Sequence, residues 1–375
     1  MTKVRVGPID QITAVILAAG QGTRMRSERP KPLAMICGKP MLGHTLEAVV
    51  DTKRVSKVVV VVGFGAEMVR REVHESDFID PDIELVFVEQ KELRGTGDAL
   101  GVALTKLPDP LTGGVDAPRD ILVVPSDVPL VTSATLGRLI DAHREHKRAA
   151  TILSMKVQDP TGYGRIVRKA SGEVVEIVED RDANPEQAKL DEVNTSIYLF
   201  EYGHLPAILR RLSPVNSQNE YYLTDAISVL SRAGYSVSAE ILDDPVEAMG
   251  VNDKKQLSEV EEIMRKRNND HLMFSGVTIV DPSSTYIDSS VVVGRDTTIW
   301  PGTILRGHCT IGSGVELGPR VTLLDCEVGD GARLREVVAE AARFGSNCDV
   351  GPYVVVRNGV KVEAGTVVAP FSTLE

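Results

Sequence analysis

The segment Thr298-Ile-Trp-Pro-Gly-Thr-Ile-Leu-Arg-Gly-His-Cys-Thr-Ile-Gly-Ser-Gly-Val-Glu-Leu317 carries an aliphatic residue at every sixth position: Ile299, Leu305, Ile311 and Leu317. The same step reaches back to Val293 and Ile287 and forward to Leu323. After a phase slip come Val328 and Leu334, and after a second slip Phe344, Val350, Val356, Val362 and Val368. A six-residue apolar repeat predicts short parallel strands joined by turns, three to a coil, stacked as a hexapeptide β-helix. Gly follows the apolar residue at Gly294, Gly312, Gly318, Gly329, Gly345 and Gly351, where it is expected to supply a positive-φ turn. The slips at 323–328 and 334–344 are expected to be loops that bulge from the coil.

Upstream the pattern is different. Apolar, β-branched runs at Ala14–Leu17, Val58–Val62, Leu85–Val88, Ile121–Val124 and Thr151–Ser154 alternate with helical spacing such as Leu42–Val50 and Ala134–His143. That alternation predicts βαβ units and a mostly parallel sheet covered on both faces, with ligands at the carboxyl ends of its strands. Between the two patterns, Asp253–Asp270 is charged, with Leu257, Val260 and Met264 at three- and four-residue steps, and reads as an amphipathic helix. We therefore divide the chain into an α/β domain (1–252), a linker helix (253–270) and a β-helix domain (271–375).

Composition narrows the function classes. At 375 residues the chain exceeds the usual single-domain length, and 42% hydrophobic with 25% charged residues is ordinary for a soluble protein. The net charge of −11 argues against a nucleic-acid coat but not against nucleotides, which a few cations and backbone amides can hold. Cys37, Cys309, Cys326 and Cys348 show no metal-ligand spacing and read as reduced, packed thiols. The run Val58–Val62 is too short to cross a bilayer, and MTKVRVGPIDQI lacks an apolar signal core, so no membrane partner and a cytoplasmic location are expected.

The stretch richest in chemistry is Leu17-Ala-Ala-Gly-Gln-Gly-Thr-Arg-Met25, directly after the first apolar run. Ala18, Ala19, Gly20 and Gly22 are small enough for backbone amides to approach a phosphate or base, with Thr23 in the same turn. Arg24 would lie beside the phosphates, and Lys31, in Arg29-Pro30-Lys31-Pro32, could add a second cation. The string is neither a P-loop nor a dinucleotide fingerprint, because GKS or GKT is missing and Met25 stands at the third glycine position.

This string followed by Pro30-Lys31-Pro32-Leu33 resembles the sugar-1-phosphate nucleotidyltransferases, and within them the bacterial N-acetylglucosamine-1-phosphate uridylyltransferases. Further matches follow in order: Gln90 with Arg94-Gly95-Thr96-Gly97, Ser126-Asp127-Val128-Pro129, Asp159-Pro-Thr-Gly-Tyr-Gly-Arg165, Ile177-Val178-Glu179, Val193-Asn194-Thr195, Glu220-Tyr-Tyr-Leu-Thr-Asp225 and Gly250-Val251-Asn252. The resemblance implies a Rossmann-like nucleotidyltransferase domain followed by a left-handed β-helix. It also implies a reaction of UTP with N-acetylglucosamine 1-phosphate, Mg²⁺ as cofactor, and a homotrimer. It assigns Arg24, Lys31 and Asp127 to catalysis, and Asp127 with Asn252 to the metal. Gln90, Gly95 and Thr96, with the first loop, would face the nucleotide; Gly164, Glu179, Asn194 and Thr224 would face the sugar. Read without it, Asp127 is a cap or turn residue, Glu179 a surface carboxylate and Asn194 a turn residue.

Some positions depart from the family pattern. Pro125 and Ser126 precede Asp127 where an aromatic or small residue and then Gly are usual, and Ser196 replaces a common Gly. Of the residues that family members use for acetyl transfer, only Arg357 has a counterpart before Glu375, so acetyltransferase activity is expected to be absent. Other readings are a nucleotidyltransferase for another sugar or base, a non-catalytic trimeric nucleotide-binding relative, and an acyltransferase, for which no histidine stands at a suitable place.

Overall fold

The structure, a computed structural model, describes residues 11–76 and 81–375, so the first ten residues of MTKVRVGPIDQI lie outside it. The described residues fall into two compact units: one runs through Ala34 and resumes over Pro40–Gln256, and the other comprises Met35–Lys39 and Leu257–Glu375. The division at Gln256 and Leu257 falls inside the helix Lys254–Phe274.

In the first unit each apolar run lies within a strand of one sheet. Its order is Val237–Ile241, Ala150–Lys156, Glu192–Glu201, Asp120–Pro125, Ile12–Ala18, Val55–Val62, Glu84–Glu89. The strands are near-continuous apolar runs because helices cover both faces: Ala14 and Ile16 join one apolar cluster, Val15 the other. One covering helix, Ser133–Glu145, begins where the Thr132 hydroxyl accepts the Thr135 amide (3.2 Å), and it buries Leu136, Leu139 and Ile140 along one face.

Glu192–Glu201 is antiparallel to both neighbours, which makes the sheet mixed. It begins at the edge where the parallel strands Ile12–Ala18 and Asp120–Pro125 end. That edge therefore collects Ala18, Gln90 and Asp127 from strand ends together with Asn194 from a strand start.

The second unit is a left-handed β-helix of strands two to four residues long, stacked in three parallel sheets. The repeat residues point inward, and Leu305, Leu317, Leu323 and Leu334 are fully buried. The slips are not bulges. Register along the stack advances from Ile304 to Thr322, then from Thr322 to Val338, and later from Val355 to Thr373. These steps are eighteen, sixteen and eighteen residues, so the coil contracts where loops were expected. Ala339 fills the missing inward place, five residues after Leu334 and five before Phe344, and the shortened corners use left-handed Asp325, Glu336 and Ala341.

The glycine expectation also needs correction. Gly318 and Gly351 do have positive φ (107° and 104°), but Gly294, Gly312, Gly329 and Gly345 do not. Those four are glycine because consecutive coils stack too closely for a side chain: a Cβ on Gly345 would lie 2.4 Å from the Ala364 nitrogen. A second inward rank stands two residues before each repeat position, and Cys309, Cys326 and Cys348 occupy it among Val315, Val321 and Ala332. All four cysteines are free and buried. Among the described residues no helix is long and apolar enough to cross a membrane.

Candidate active site

A cleft of about 620 Å³ opens over the carboxyl edge of the first unit's sheet. The loop after Ile12–Ala18 forms one wall, with Ala18, Ala19, Gly20, Gly22, Thr23 and Arg24 all lining the cleft. Gly22 sits at φ 61°, and a Cβ there would come within 2.7 Å of the Lys31 Cβ, so its lack of a side chain lets Lys31 approach the loop. Gly95, at φ 107°, packs the next wall against the Tyr221 backbone, where a Cβ would lie 2.7 Å from the carbonyl oxygen. Buried Gln90 donates its amide to the Gly95 carbonyl (3.1 Å) and to Asp98 (2.8 Å), which leaves its oxygen as the acceptor on that wall. The Thr96 hydroxyl accepts the Leu223 amide at 3.0 Å and so anchors the wall.

At the cleft floor two oxygens converge on one cation. Lys31 Nζ lies 2.5 Å from Asp127 Oδ2 and 3.0 Å from Asn252 Oδ1. Arg24 donates to the same Asn252 oxygen at 3.0 Å. Backbone pairing sets this meeting, because the Val251 amide donates to the Asp127 carbonyl (2.9 Å) and so carries Asn252 to its place. Asp127 therefore caps no helix. Its carboxylate and the Asn252 amide oxygen form a hard-oxygen donor pair around a point now held by an ammonium group, which fits a divalent ion that keeps most of its waters.

Deeper in the cleft Asn194 is buried, and its Nδ2 donates to the Tyr198 phenol (2.7 Å). Glu179 accepts a hydrogen bond from the Thr224 hydroxyl at 2.9 Å. Its other oxygen stands 3.7 Å from where a Gly164 Cβ would be, so Gly164, Glu179, Asn194 and Thr224 form one cluster. Of the four, only Asn194 lines the cleft itself. Glu179 is no surface carboxylate: burial is the largest cause raising its pKa, with Asp225, Asp182 and Asp180 adding to it against the Thr224 hydrogen bond. Burial likewise raises the Tyr163 phenol, and the Asp127 charge adds to the shift.

Residues 13–245 match the nucleotidyl transferase family, and residues 290–324 match the bacterial transferase hexapeptide repeats. The chain is 40% identical over 349 residues to the bifunctional protein GlmU of Caldanaerobacter subterraneus, covering 93% of this chain and 72% of that protein. It is 41% identical to the bifunctional protein GlmU of Pelotomaculum thermopropionicum, over 96% of this chain and 75% of that protein. With the GlmU of Nocardia farcinica it shares 42% identity over 95% of its length and 71% of the relative's.

This chain belongs to the nucleotidyl transferase family. It is an enzyme of the sugar-1-phosphate nucleotidyltransferase type, and relatives of the GlmU group generally use a divalent metal. In this transferase the departures noted above have definite places. Ser126 is buried, and its amide donates to the Leu17 carbonyl at 3.0 Å. Ser196 lines the cleft with φ 64°.

Two residues of the site escaped the sequence reading. Asp98, which orients Gln90, was detectable only as an acid four residues after Arg94, whose guanidinium it also binds (2.7 Å). Tyr163 lines the cleft from inside a matched motif, but nothing in its spacing distinguishes it from a core aromatic.

Proposed function

We propose that the chain transfers the uridylyl group of UTP to N-acetylglucosamine 1-phosphate, giving UDP-N-acetylglucosamine and pyrophosphate. The observation that carries the reading is the convergence of Asp127, Asn252, Lys31 and Arg24 beside a glycine-rich phosphate loop. A phosphate oxygen of the sugar attacks the α-phosphorus, a new O–P bond forms, and the bond to the β-phosphate breaks. Two anions must meet, so catalysis is chiefly positioning and charge neutralisation. Arg24 and Lys31 supply cations, and the amides of Ala18, Ala19, Gly20 and Gly22, with Thr23, cradle the phosphates. Asp127 and Asn252 would hold Mg²⁺, which when bound neutralises charge on the phosphate oxygens.

The chemistry of the walls suits these substrates. Uracil presents an imide N–H, and the oriented Gln90 oxygen is an acceptor for it, with Gly95 and Thr96 shaping that wall. Glu179 is half-buried, and among the described residues no cation pairs with it, so its carboxylate can accept sugar hydroxyls, with Gly164, Asn194 and Thr224 around it. Every residue lining the cleft belongs to the first unit.

We assign transfer to residues 1–252, linking to 253–270, and assembly to 271–375. The outward column Tyr286, Ile304, Thr322, Val338, Val355 and Thr373 is mostly apolar, whereas Glu316, Arg333 and Asp349 face out from another sheet. Burying the apolar column between copies supports a homotrimer, which we place in the cytoplasm. Within these 375 residues only Arg357 matches the resemblance's acetyl-transfer positions, so the activity assigned to them is uridylyl transfer alone.

The test is pyrophosphate release across four nucleoside triphosphates and a panel of sugar 1-phosphates. UTP with N-acetylglucosamine 1-phosphate is expected to give the highest kcat/KM. A higher value for thymidine triphosphate or glucose 1-phosphate would replace this assignment.

A further inference from the structure

We propose that the Ser196 hydroxyl makes a hydrogen bond to the sugar 1-phosphate and so helps to set which sugar the cleft admits. The inference rests on the reading of the cleft given above.

In the strand Glu192–Glu201, Asn194 pairs with Ser154 and Ile197 pairs with Leu153, so Thr195 and Ser196 are extra residues in a bulge. The bulge turns them opposite ways. Thr195 is buried, and its hydroxyl donates to the Leu153 carbonyl at 2.7 Å. Ser196 faces the cleft with φ 64°, a left-handed conformation that a Cβ disfavours and a glycine adopts freely. Such strain persists where the surroundings over-determine it, and it gathers at functional sites.

The surroundings here do over-determine it. The Ser196 amide donates to Asn194 Oδ1 at 3.0 Å, while Asn194 Nδ2 donates to the Tyr198 phenol at 2.7 Å. Tyr198 and Asn194 are both buried, which leaves the Ser196 hydroxyl as the part of this network open to the cleft. A serine hydroxyl both donates and accepts, so it can meet a hydroxyl, the amide or a phosphate oxygen of the sugar phosphate. Glycine would hold the turn without strain, so the hydroxyl is what the strain maintains.

Two variants separate the contributions. Ser196→Ala keeps the strained φ and removes the oxygen, whereas Ser196→Gly removes both. Calorimetric titration with N-acetylglucosamine 1-phosphate is expected to show binding about tenfold weaker in each variant, the scale of one neutral hydrogen bond. The KM for UTP should stay unchanged. Ser196→Gly alone should raise the melting temperature by roughly 2–4 °C through relief of strain. A panel of deoxy analogues identifies the partner group: the analogue that lacks it should bind wild type and Ser196→Ala equally. Equal affinity of wild type and both variants for the natural sugar would overturn the inference. Failure of the transferase reading looks different, as intact sugar binding in wild type without pyrophosphate release. No binding of any sugar phosphate by wild type would overturn both.

Discussion

Asp127 and Asn252 present a carboxylate and an amide oxygen to the same ammonium group, and substitutions there should act on turnover far more than on folding. Asp127→Ala is expected to abolish transfer while leaving the circular dichroism spectrum and melting temperature near wild type, because the side chain is partly exposed and sits past a strand end. Retention of more than a few per cent of normal activity would contradict the assignment. Arg24→Ala and Lys31→Ala are each expected to lower kcat/KM by about 100-fold or more, the scale of a lost transition-state electrostatic contact. Steady-state kinetics with both substrates varied checks this. Glu179 makes a prediction in pH. Burial raises its pKa above the ordinary 4.5, so the folded state binds its proton more tightly than the unfolded chain does. Stability is therefore lost as pH rises through the window from that ordinary value to the raised one. Glu179→Gln keeps the acceptor for Thr224 and removes the charge, so its melting temperature should exceed wild type above that window and lose the advantage below it. Parallel melting curves across pH would refute the account of this carboxylate.

In the β-helix the six-residue period was legible because each face of a coil buries a large aliphatic side chain at the same place. The glycines were misread, because spacing shows that a corner is small but not whether φ or the neighbouring coil requires it. Gly345 discriminates: at φ outside the positive region, alanine fails only if the backbone of the next coil is in the way. Gly345→Ala is expected to cost about 1–3 kcal/mol through overpacking, read as faster hydrogen exchange in the strands Arg343–Phe344 and Lys361–Val362. Unaltered exchange would contradict the close-stacking explanation. The contracted coils were hidden for a related reason: Ala339 is too small to stand out as a repeat residue. In the α/β sheet the apolar runs marked each parallel strand, yet Glu192–Glu201 mixes Asn194, Thr195 and Ser196 into its sequence and reads as a turn. The phosphate loop was readable because its chemistry depends on contiguous small residues. The pairing of Glu179 with Thr224 depends on packing between distant segments, and that of Asp98 with Gln90 on the course of the loop between them, which sequence spacing does not show.

At the scale of the whole molecule, the cleft is lined by one unit, and the mostly apolar outward column lies on the other. Val338→Glu with Val355→Glu should therefore convert a trimer into monomers, seen by light scattering, with uridylyl transfer retained. A single-subunit mass for the wild-type chain would exclude the trimer. Truncation after Asn268 should likewise leave an active monomer, and loss of activity in a folded truncation would show that the site draws on more than the first unit. The central claim, in-line transfer of a nucleotidyl group at the Asp127 and Lys31 floor, is tested most directly by phosphorus NMR of wild type and Asp127→Ala with Mg²⁺, UTP and N-acetylglucosamine 1-phosphate. Wild type is expected to form the sugar-nucleotide diphosphate resonances and pyrophosphate in equal amounts, and the variant neither. Orthophosphate without a sugar nucleotide, or the same products at the same rate from Asp127→Ala, would contradict it.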